Sequence, residues 1–296
     1  MEKIIPKILI DAPTSDRHAD LLEEWIRSIE KLTYKNFDVC LVENTVNSDE
    51  YFNKLKEVKI NGKPIITWKY EWDPEKIHHL QMLAYVREEI RQYFLEHEEY
   101  THLFWLDQDI LIPKDTLQRL LYADKDHVGF IVPVFYKPKR VPCVFKSGNI
   151  VIGKGLEYFS WNEVNYYRKI AKKAMDGKLS KEEQLLSYHI FSDLEKPYLM
   201  KVYAVNLGCL LIKRDVVKQC PYRTHPTFIW GEDLWYFNEA NDKKFEFWAD
   251  VTGMVIHKNK SWDILNECKK IGPTPFYVIY GPANPTGAEI VTHNTI

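Results

Sequence analysis

Acidic residues stand where several short apolar runs end. Asp107-Gln108-Asp109 follows the run Leu103-Phe-Trp-Leu106, Asp11 closes Lys7-Ile-Leu-Ile10, and Glu43 closes Phe37-Asp-Val-Cys-Leu-Val42. Residues i and i+2 of an extended chain share a side, so Asp107 and Asp109 are placed to face one cation. Two hard oxygen ligands with no thiolate nearby suit Mg²⁺ or Mn²⁺ and argue against zinc. The same pair would also suit a solvated turn that caps the next helix. His257, closing Gly253-Met-Val-Ile256, is a candidate third metal ligand, although a structural histidine would leave the same trace. A second acidic group, Trp230-Gly231-Glu232-Asp233, immediately precedes Leu234-Trp-Tyr-Phe237. Acids in a first helical turn are stabilised by unpaired backbone N–H groups and the macrodipole. Gly231 has no part in that stabilisation and reads as backbone brought close to a ligand. An ionised carboxylate beside it could accept a proton from an attacking hydroxyl.

The elements that must position these residues follow from periodicity. Lys7–Asp11, Phe37–Val42, Ile65–Tyr70, His102–Leu106 and Val128–Val132 read as strands. Between them, Leu22, Trp25, Ile26, Ile29 and Leu32 recur at helical spacing, as do Ile77, Leu80, Leu83, Val86, Ile90 and Phe94. Tyr51–Val58 and Asp115–Leu121 predict two shorter helices. Strands separated by helices predict an α/β fold with a mostly parallel, Rossmann-like sheet covered on both faces. In such a sheet ligands bind beyond the carboxyl ends of the strands, which is where the acids fall. From 136 to about 200 the alternation fails. Asn162–Met175 and Ser180–Ser192 predict two polar helices, the first carrying Arg168, Lys169, Lys172 and Lys173. This stretch reads as a solvated helical insertion, or as a lid, an acceptor contact or a membrane-surface contact. Val202–Ile212 predicts a long central strand, Leu234–Ala240 a helix, and Phe245–Ala249 and Met254–Ile256 two further strands.

Composition excludes several classes. With 40 basic and 42 acidic side chains, the 296 residues carry a formal charge of −2, which gives no support for a nucleic-acid partner. The 45% hydrophobic content excludes wholesale disorder. Five scattered cysteines without C-x-x-C suggest reduced thiols and a cytoplasmic setting, peripheral to a membrane at most. Pro6, Lys7 and Asp11 interrupt any apolar leader near the N-terminus. Residues 271–288 are uncharged, but Pro273, Pro275, Pro282 and Pro285 exclude a spanning helix and predict an irregular tail with no transmembrane segment.

In order and spacing these motifs resemble the GT-A glycosyltransferases, the nucleotide-diphospho-sugar transferases, and most nearly their family-two-like group. The resemblance covers roughly residues 7–135 and 202–258. Ile10-Asp-Ala-Pro13-Thr14-Ser-Asp-Arg17 is similar to the opening strand and Pro-Thr-x-x-Arg loop under the nucleotide. Val42-Glu43-Asn44 stands where the family has an acid contacting base and ribose, with Glu in place of the usual Asp. Arg87 matches a diphosphate-side arginine, although the small-residue run that usually precedes it is absent. Phe104-Trp-Leu-Asp107-Gln-Asp109 resembles the D-x-D strand, and Asn206-Leu-Gly-Cys-Leu-Leu-Ile-Lys-Arg214 the small-residue strand that follows the acceptor insertion. Gly231-Glu232-Asp233 resembles the x-E-D motif, and His257 the late metal-binding histidine.

The resemblance implies one GT-A domain in four stretches. Residues 1–135 form the nucleotide-sugar half, 136–201 a helical insertion on the acceptor side, 202–262 the catalytic half and 263–296 the tail. It implies a Mn²⁺ or Mg²⁺ ion on Asp109 and His257, with Asp107 on the ion through water or on the ribose. Pro13, Thr14, Arg17, Glu43 and Arg87 would hold the nucleotide of a UDP- or GDP-sugar. Trp230, Gly231 and Glu232 would grip donor sugar or acceptor, the acceptor being a glycan, a lipid-linked or another hydroxyl compound. Asp233 would be the base of an inverting transfer. A retaining outcome stays open. Two rivals are a sugar nucleotidyltransferase and a non-catalytic carbohydrate-binding protein. The first should carry a glycine-rich, basic loop after the first strand, and Ala12-Pro-Thr-Ser-Asp16 has neither Gly nor Lys. The second accounts for nine tryptophans but not for an ordered series of acids and a histidine.

Overall fold

The computed structural model describes residues 5–136, 139–149, 154–191, 196, 198–224, 232–258, 277–279 and 290–292. Eight strands build the central sheet: β1 (Ile8–Thr14), β2 (Phe37–Glu43), β3 (Ile66–Lys69), β4 (His102–Leu106), β5 (His127–Phe130), β6 (Leu199–Val202), β7 (Cys209–Lys213) and β8 (Phe247–Asp250). They lie in the order β6-β8-β5-β7-β4-β1-β2-β3. β3, β2, β1, β4, β5 and β8 run one way, and β7 and β6 run against them. Helices α1 (Leu22–Glu30), α2 (Glu50–Lys56), α3 (His79–Glu96) and α4 (Thr116–Ala123) fill the four connections from β1 to β5. The chain is thus a mixed α/β fold with a large, mostly parallel sheet flanked by helices.

Helices cover both faces of β1. Ile8, Ile10 and Ala12 join Trp25 and Ile29 of α1 in one core, whereas Leu9 joins Val86, Ile90 and Phe94 of α3 in the other. The period-two alternation of a strand puts the two sets on opposite faces. Trp25 is wholly buried, and a large-to-small change at such a site costs about 3–5 kcal/mol.

α3 is pinned at both ends. His78 caps its start, accepting from the Leu80 N–H at 3.3 Å while the Gln81 side chain accepts from the His78 N–H at 3.2 Å. At its end the Arg214 guanidinium donates to the carbonyls of Phe94, Leu95, His97 and Tyr100 at 2.8–3.1 Å. These carbonyls include some that a helix terminus leaves without an internal partner. Arg87, in the middle of α3, is therefore carried by a rigid element.

The structure departs from the sequence expectations in the second half. The apolar run 202–212 is not one strand: β6 ends at Val202, Ala204–Val205 joins a different sheet, and β7 starts at Cys209. The insertion is strand as well as helix. Val144–Asn149 and Lys154–Tyr158 pair antiparallel, with register shifts around Ser147 that hide the period from the sequence. α5 (Trp161–Met175) and α6 (Lys181–Ile190) follow, each opened by a serine capping box. Val164, Ile170, Ala171 and Phe191 share the core of Leu9 and Trp105, so the insertion is anchored in the main body. The tail is not wholly irregular either, since Tyr277–Ile279 pairs with Leu156–Glu157 and with Ile290–Thr292. Two short helices complete the second half, α7 (Arg214–Gln219) and α8 (Glu232–Asp242). Among the described residues no helix is long and apolar enough to cross a membrane.

Candidate functional site

β2 and β3 lie on one side of β1 and β4 on the other, so the strand order reverses between β1 and β4. In open α/β sheets the loops leaving two such strands part at this point, and the crevice between them is the expected ligand site. On one side of it the polar groups are joined by neutral hydrogen bonds. Gln108 is buried between the two aspartates of the D-x-D run. Its carbonyl accepts from the Thr14 hydroxyl and, at 2.9 Å, from the Tyr51 hydroxyl, and its amide donates to the His18 carbonyl at 3.0 Å. The Asp16 N–H donates to Thr45 Oγ1 at 2.9 Å, tying the loop after β1 to the loop after β2. Pro13 is half-buried and Thr14 buried, while Arg17 is exposed on the 3₁₀ turn Asp16–His18. Glu43 is fully buried at the end of β2. Its Oε1 accepts from the Thr45 N–H at 2.7 Å, whereas Oε2 has no partner. Burial, partly offset by Thr45, holds its pKa above the ordinary value.

Asp107 and Asp109 have different hydrogen-bond partners. The Ile110 N–H donates to the Asp107 carbonyl at 2.9 Å, so the segment turns immediately after β4 instead of remaining extended. The same-side expectation fails for that reason. Asp107 accepts from Arg87 Nη2 at 3.2 Å. Its backbone N–H donates to the Gly208 carbonyl at 3.1 Å, and a Cβ on Gly208 would stand 2.6 Å from Asp107 Oδ2. Gly208 is thus required by the close approach of the aspartate, which explains the small residue in Asn206-Leu-Gly-Cys209.

Asp109 instead meets His257. Ile256–His257 pairs antiparallel with Ile110–Leu111, and the Lys258 N–H donates to the Asp109 carbonyl at 2.8 Å. Asp109 Oδ2 lies 3.0 Å from His257 Nε2, and His257 Nδ1 lies 2.7 Å from the Pro133 carbonyl. Nδ1 therefore carries a proton and donates it to that carbonyl, which aims Nε2 at the carboxylate. Burial alone would lower the His257 pKa, but Asp109 raises it overall; burial alone would raise that of Asp109, but His257 lowers it overall. Carboxylate oxygen and imidazole nitrogen without thiolate form a donor pair that suits Mn²⁺. Among the described residues no three His, Cys, Asp or Glu side chains gather as a metal site.

The other side of the crevice is organised by charge. Arg87 Nε donates to Glu232 Oε1 at 3.0 Å, Nη2 reaches Asp107, and the guanidinium carbon lies 4.5 Å from the Trp105 ring centre. Burial disfavours its charge, yet Asp107 and Glu232 raise its pKa overall. The expected diphosphate contact is therefore occupied by two carboxylates here, and Nη1 is buried without a partner. Asp233, next to Glu232, accepts from the Leu234 N–H at 2.7 Å and touches solvent only in part. Burial, with Glu232 beside it, raises its pKa from 3.8 to about 7. Trp230 and Gly231 lie outside the described residues.

Asp11 does not end a strand at the crevice. β1 continues to Thr14, and Asp11 is wholly buried between Cys40 and Trp105 of the neighbouring strands. Burial holds its carboxyl well above the ordinary range, and neither oxygen has a partner. The network residues Gln108 and Tyr51 carried one weak signal in the sequence, a neutral amide between two aspartates beside an apolar strand.

No family model matches the chain. No curated protein matches it either. Among solved structures the chain is similar to A197 from STIV, with 15% identity over 86% of each chain and a TM-score of 0.40. It is also similar to S. aureus TarS, with 13% identity over 82% of this chain and 35% of that one, at a TM-score of 0.47. Against TarS residues 1–349 the identity is 12%, over 86% of this chain and 59% of that one, and the TM-score is 0.44.

Proposed function

We propose that the chain is a metal-dependent glycosyltransferase of the GT-A type, moving a sugar from a nucleoside-diphosphate donor to a hydroxyl acceptor with inversion. The observation that carries the reading is the Arg87 bridge. It joins Asp107, at the end of β4, to Glu232, 145 residues away from Arg87 in sequence, and so brings a carboxyl with a pKa of about 7, Asp233, beside the D-x-D segment that also carries Asp109. A base poised near neutral pH on the side of the sheet where the strand-end acids gather is what transfer to a hydroxyl requires.

In this reading the nucleotide lies over the β1 and β2 loops. The unpartnered Glu43 Oε2 accepts from a base or ribose donor, and Thr14 and Arg17 border the ligand. Asp109 and His257 would hold Mn²⁺ or Mg²⁺, whose charge would offset that developing on the departing diphosphate. Asp233 takes the proton of the acceptor hydroxyl. The hydroxyl oxygen bonds to the anomeric carbon as the bond to the diphosphate breaks, and the diphosphate leaves with the electron pair. Glu232, held by Arg87, fixes the start of α8 and with it the direction of Asp233.

The test is thermal unfolding with UDP and GDP, with and without Mn²⁺, followed by assay of free nucleotide released from UDP- and GDP-sugars. Ligand at about 100 times its dissociation constant stabilises the folded state by about 2.7 kcal/mol. One diphosphate should raise the melting temperature, more so with Mn²⁺, and Asp109→Asn should remove the Mn²⁺ increment. No shift with either nucleotide would sink the reading. A nucleotide shift that ignores Mn²⁺ would remove the metal. Metal-dependent release of nucleotide would separate a transferase from a carbohydrate-binding protein.

A further inference from the structure

Three elements must meet to build the charged side of the crevice. The end of β4 brings Asp107, α3 brings Arg87, and α8 brings Glu232 and Asp233. One residue that belongs to none of them touches all three. Tyr222 lies three residues beyond α7 and is buried. Its hydroxyl accepts from the Trp105 indole N–H of β4 at 2.6 Å, and the two rings meet edge to face at 5.3 Å. Its backbone N–H donates to the Glu88 carboxylate of α3 at 2.8 Å. Its ring stacks on Tyr236 of α8, with 4.6 Å between centres and 8° between planes. Arg91 of α3 fixes the segment just before it, donating to the Val217 and Lys218 carbonyls at 2.6 and 2.7 Å.

Each contact falls beside a member of the charged cluster. Glu88 follows Arg87 in the chain. Tyr236 is four residues after Glu232 and three after Asp233, the spacing that makes side chains neighbours on a helix. Trp105 supplies the face on which the Arg87 guanidinium rests, its carbon 4.5 Å from the ring centre. The other holds on Arg87 are Glu232 at Nε and Asp107 at Nη2, while Nη1 is buried without a partner. The orientation of the indole ring therefore bears on where the guanidinium sits. Tryptophan χ2 has broad wells, and the bond to Tyr222 selects one orientation. Burial raises the Tyr222 pKa, and the Arg87 charge is the largest influence opposing it, so the hydroxyl lies within the field of the cluster. A phenylalanine would fill nearly the same volume. What only the hydroxyl supplies is an acceptor for a buried indole N–H, a group that is costly to leave unpaired.

We propose that Tyr222 is a positioning residue for the Arg87 bridge: through Trp105 and α8 it holds Arg87 against Glu232 and so keeps Asp233 in place. Its consequence for turnover rests on the transfer reading, whereas the hold on Arg87 is measurable with no donor present.

The experiment compares the full chain with its Tyr222→Phe variant by solvent exchange of side-chain N–H groups in heteronuclear magnetic resonance, and then by donor turnover. In Tyr222→Phe the Trp105 Nε1–H and the Arg87 Nε–H should each exchange about tenfold faster or more. Trp105→Phe, which removes the same bond from its other end, should quicken Arg87 likewise. Trp25→Phe, in the core on the opposite face of the sheet, should leave Arg87 at the wild-type rate. At saturating donor, Tyr222→Phe should lower kcat about tenfold or more with the donor KM unchanged. Wild-type Arg87 exchange in Tyr222→Phe and Trp105→Phe, or equal acceleration in Trp25→Phe, would overturn the proposal, since a merely packed tyrosine gives those results. An unchanged kcat in Tyr222→Phe, where the wild type transfers sugar, would overturn it too. A wild-type chain without transfer defeats the transfer reading instead, and Arg87 exchange then decides the role of Tyr222 by itself.

Discussion

The two sides of the crevice are held by different forces. Around Thr14, Tyr51, Gln108 and Thr45 the contacts are hydrogen bonds between uncharged side chains and backbone. Around Arg87, Asp107, Glu232 and Asp233 a single guanidinium holds two carboxylates, with a third acid beside them. Uncharged networks keep their geometry across pH and salt, whereas a cluster with one cation among several acids changes with every proton it gains or loses. In the proposed transfer the first would suit a floor for the nucleotide and the second a charge that changes at the reacting bond.

The largest effect is expected from removing Arg87, the guanidinium that bridges the charged side. Arg87→Met would leave Glu232 buried and unpaired, and breaking a buried pair from one side typically costs about 3–5 kcal/mol. Urea denaturation should register that loss, and Arg87→Met/Glu232→Gln should regain much of it. Equal losses in the single and double variants would mean that Arg87 acts through its packing on Trp105 and not through charge.

Next comes Asp233→Asn. The amide oxygen can still accept from Leu234, so folding and nucleotide affinity should stay near wild type. Transfer at saturating donor should fall by about 10²-fold or more, the scale for losing a positioned base. The wild-type rate should also fall as pH drops through about 7, where the carboxyl gains its proton. Stability moves the opposite way. Because the folded pKa lies above 3.8, the folded chain retains a proton that the unfolded chain has lost. The stabilisation is full below about pH 4 and is lost as pH rises to about 7. A folded Asp233→Asn protein with near-normal turnover would remove the residue from the mechanism.

How much of this could be read from the sequence follows the range of the interactions. The apolar runs of β1, β2 and β4 are visible because strands buried on both faces have few polar interruptions, and His102–Leu106 has the bounds that its composition suggests. In the sequence Asp109 and His257 read as ligands of one ion, and in the structure they are hydrogen-bonded to each other. The cause, the two-residue pairing of Ile110–Leu111 with Ile256–His257, is too short to leave a period. The turn at Asp107–Ile110 is one of two readings the sequence offers, because D-x-D suits extended chain and turn equally well, and only the hydrogen bond to Ile110 decides. Arg87 reads as a phosphate contact through the resemblance alone; its partners, Asp107 just beyond β4 and Glu232 on α8, form a bridge that no local pattern encodes.

On the uncharged side a smaller effect is expected. Gln108→Ala would leave the Thr14 and Tyr51 hydroxyls short of their shared partner, at a cost of about 1–3 kcal/mol for buried groups left unsatisfied. The loss should vary little with pH or salt in chemical denaturation. A strong pH dependence would mean that the two sides are coupled through the D-x-D turn.

The smallest effect belongs to α5, outside both networks. Lys172 is exposed, and Lys173 pairs with Glu183 of α6, their side chains 37% and 23% accessible. Exposed pairs of this kind contribute about 0–1 kcal/mol, since solvent screens them and ordering two long side chains costs entropy. Lys172→Ala/Lys173→Ala should therefore lower stability by no more than about 1 kcal/mol and leave nucleoside diphosphate affinity unchanged. Glu43→Ala, which removes the unpartnered Oε2 at the end of β2, should weaken that affinity. Measuring both variants by calorimetry against the same nucleotide orders the two halves of the molecule directly. Affinity lost in the lysine variant and kept in Glu43→Ala would move the donor to the insertion. The hydrogen-bonded floor under β1 and β2 would then be scaffold alone.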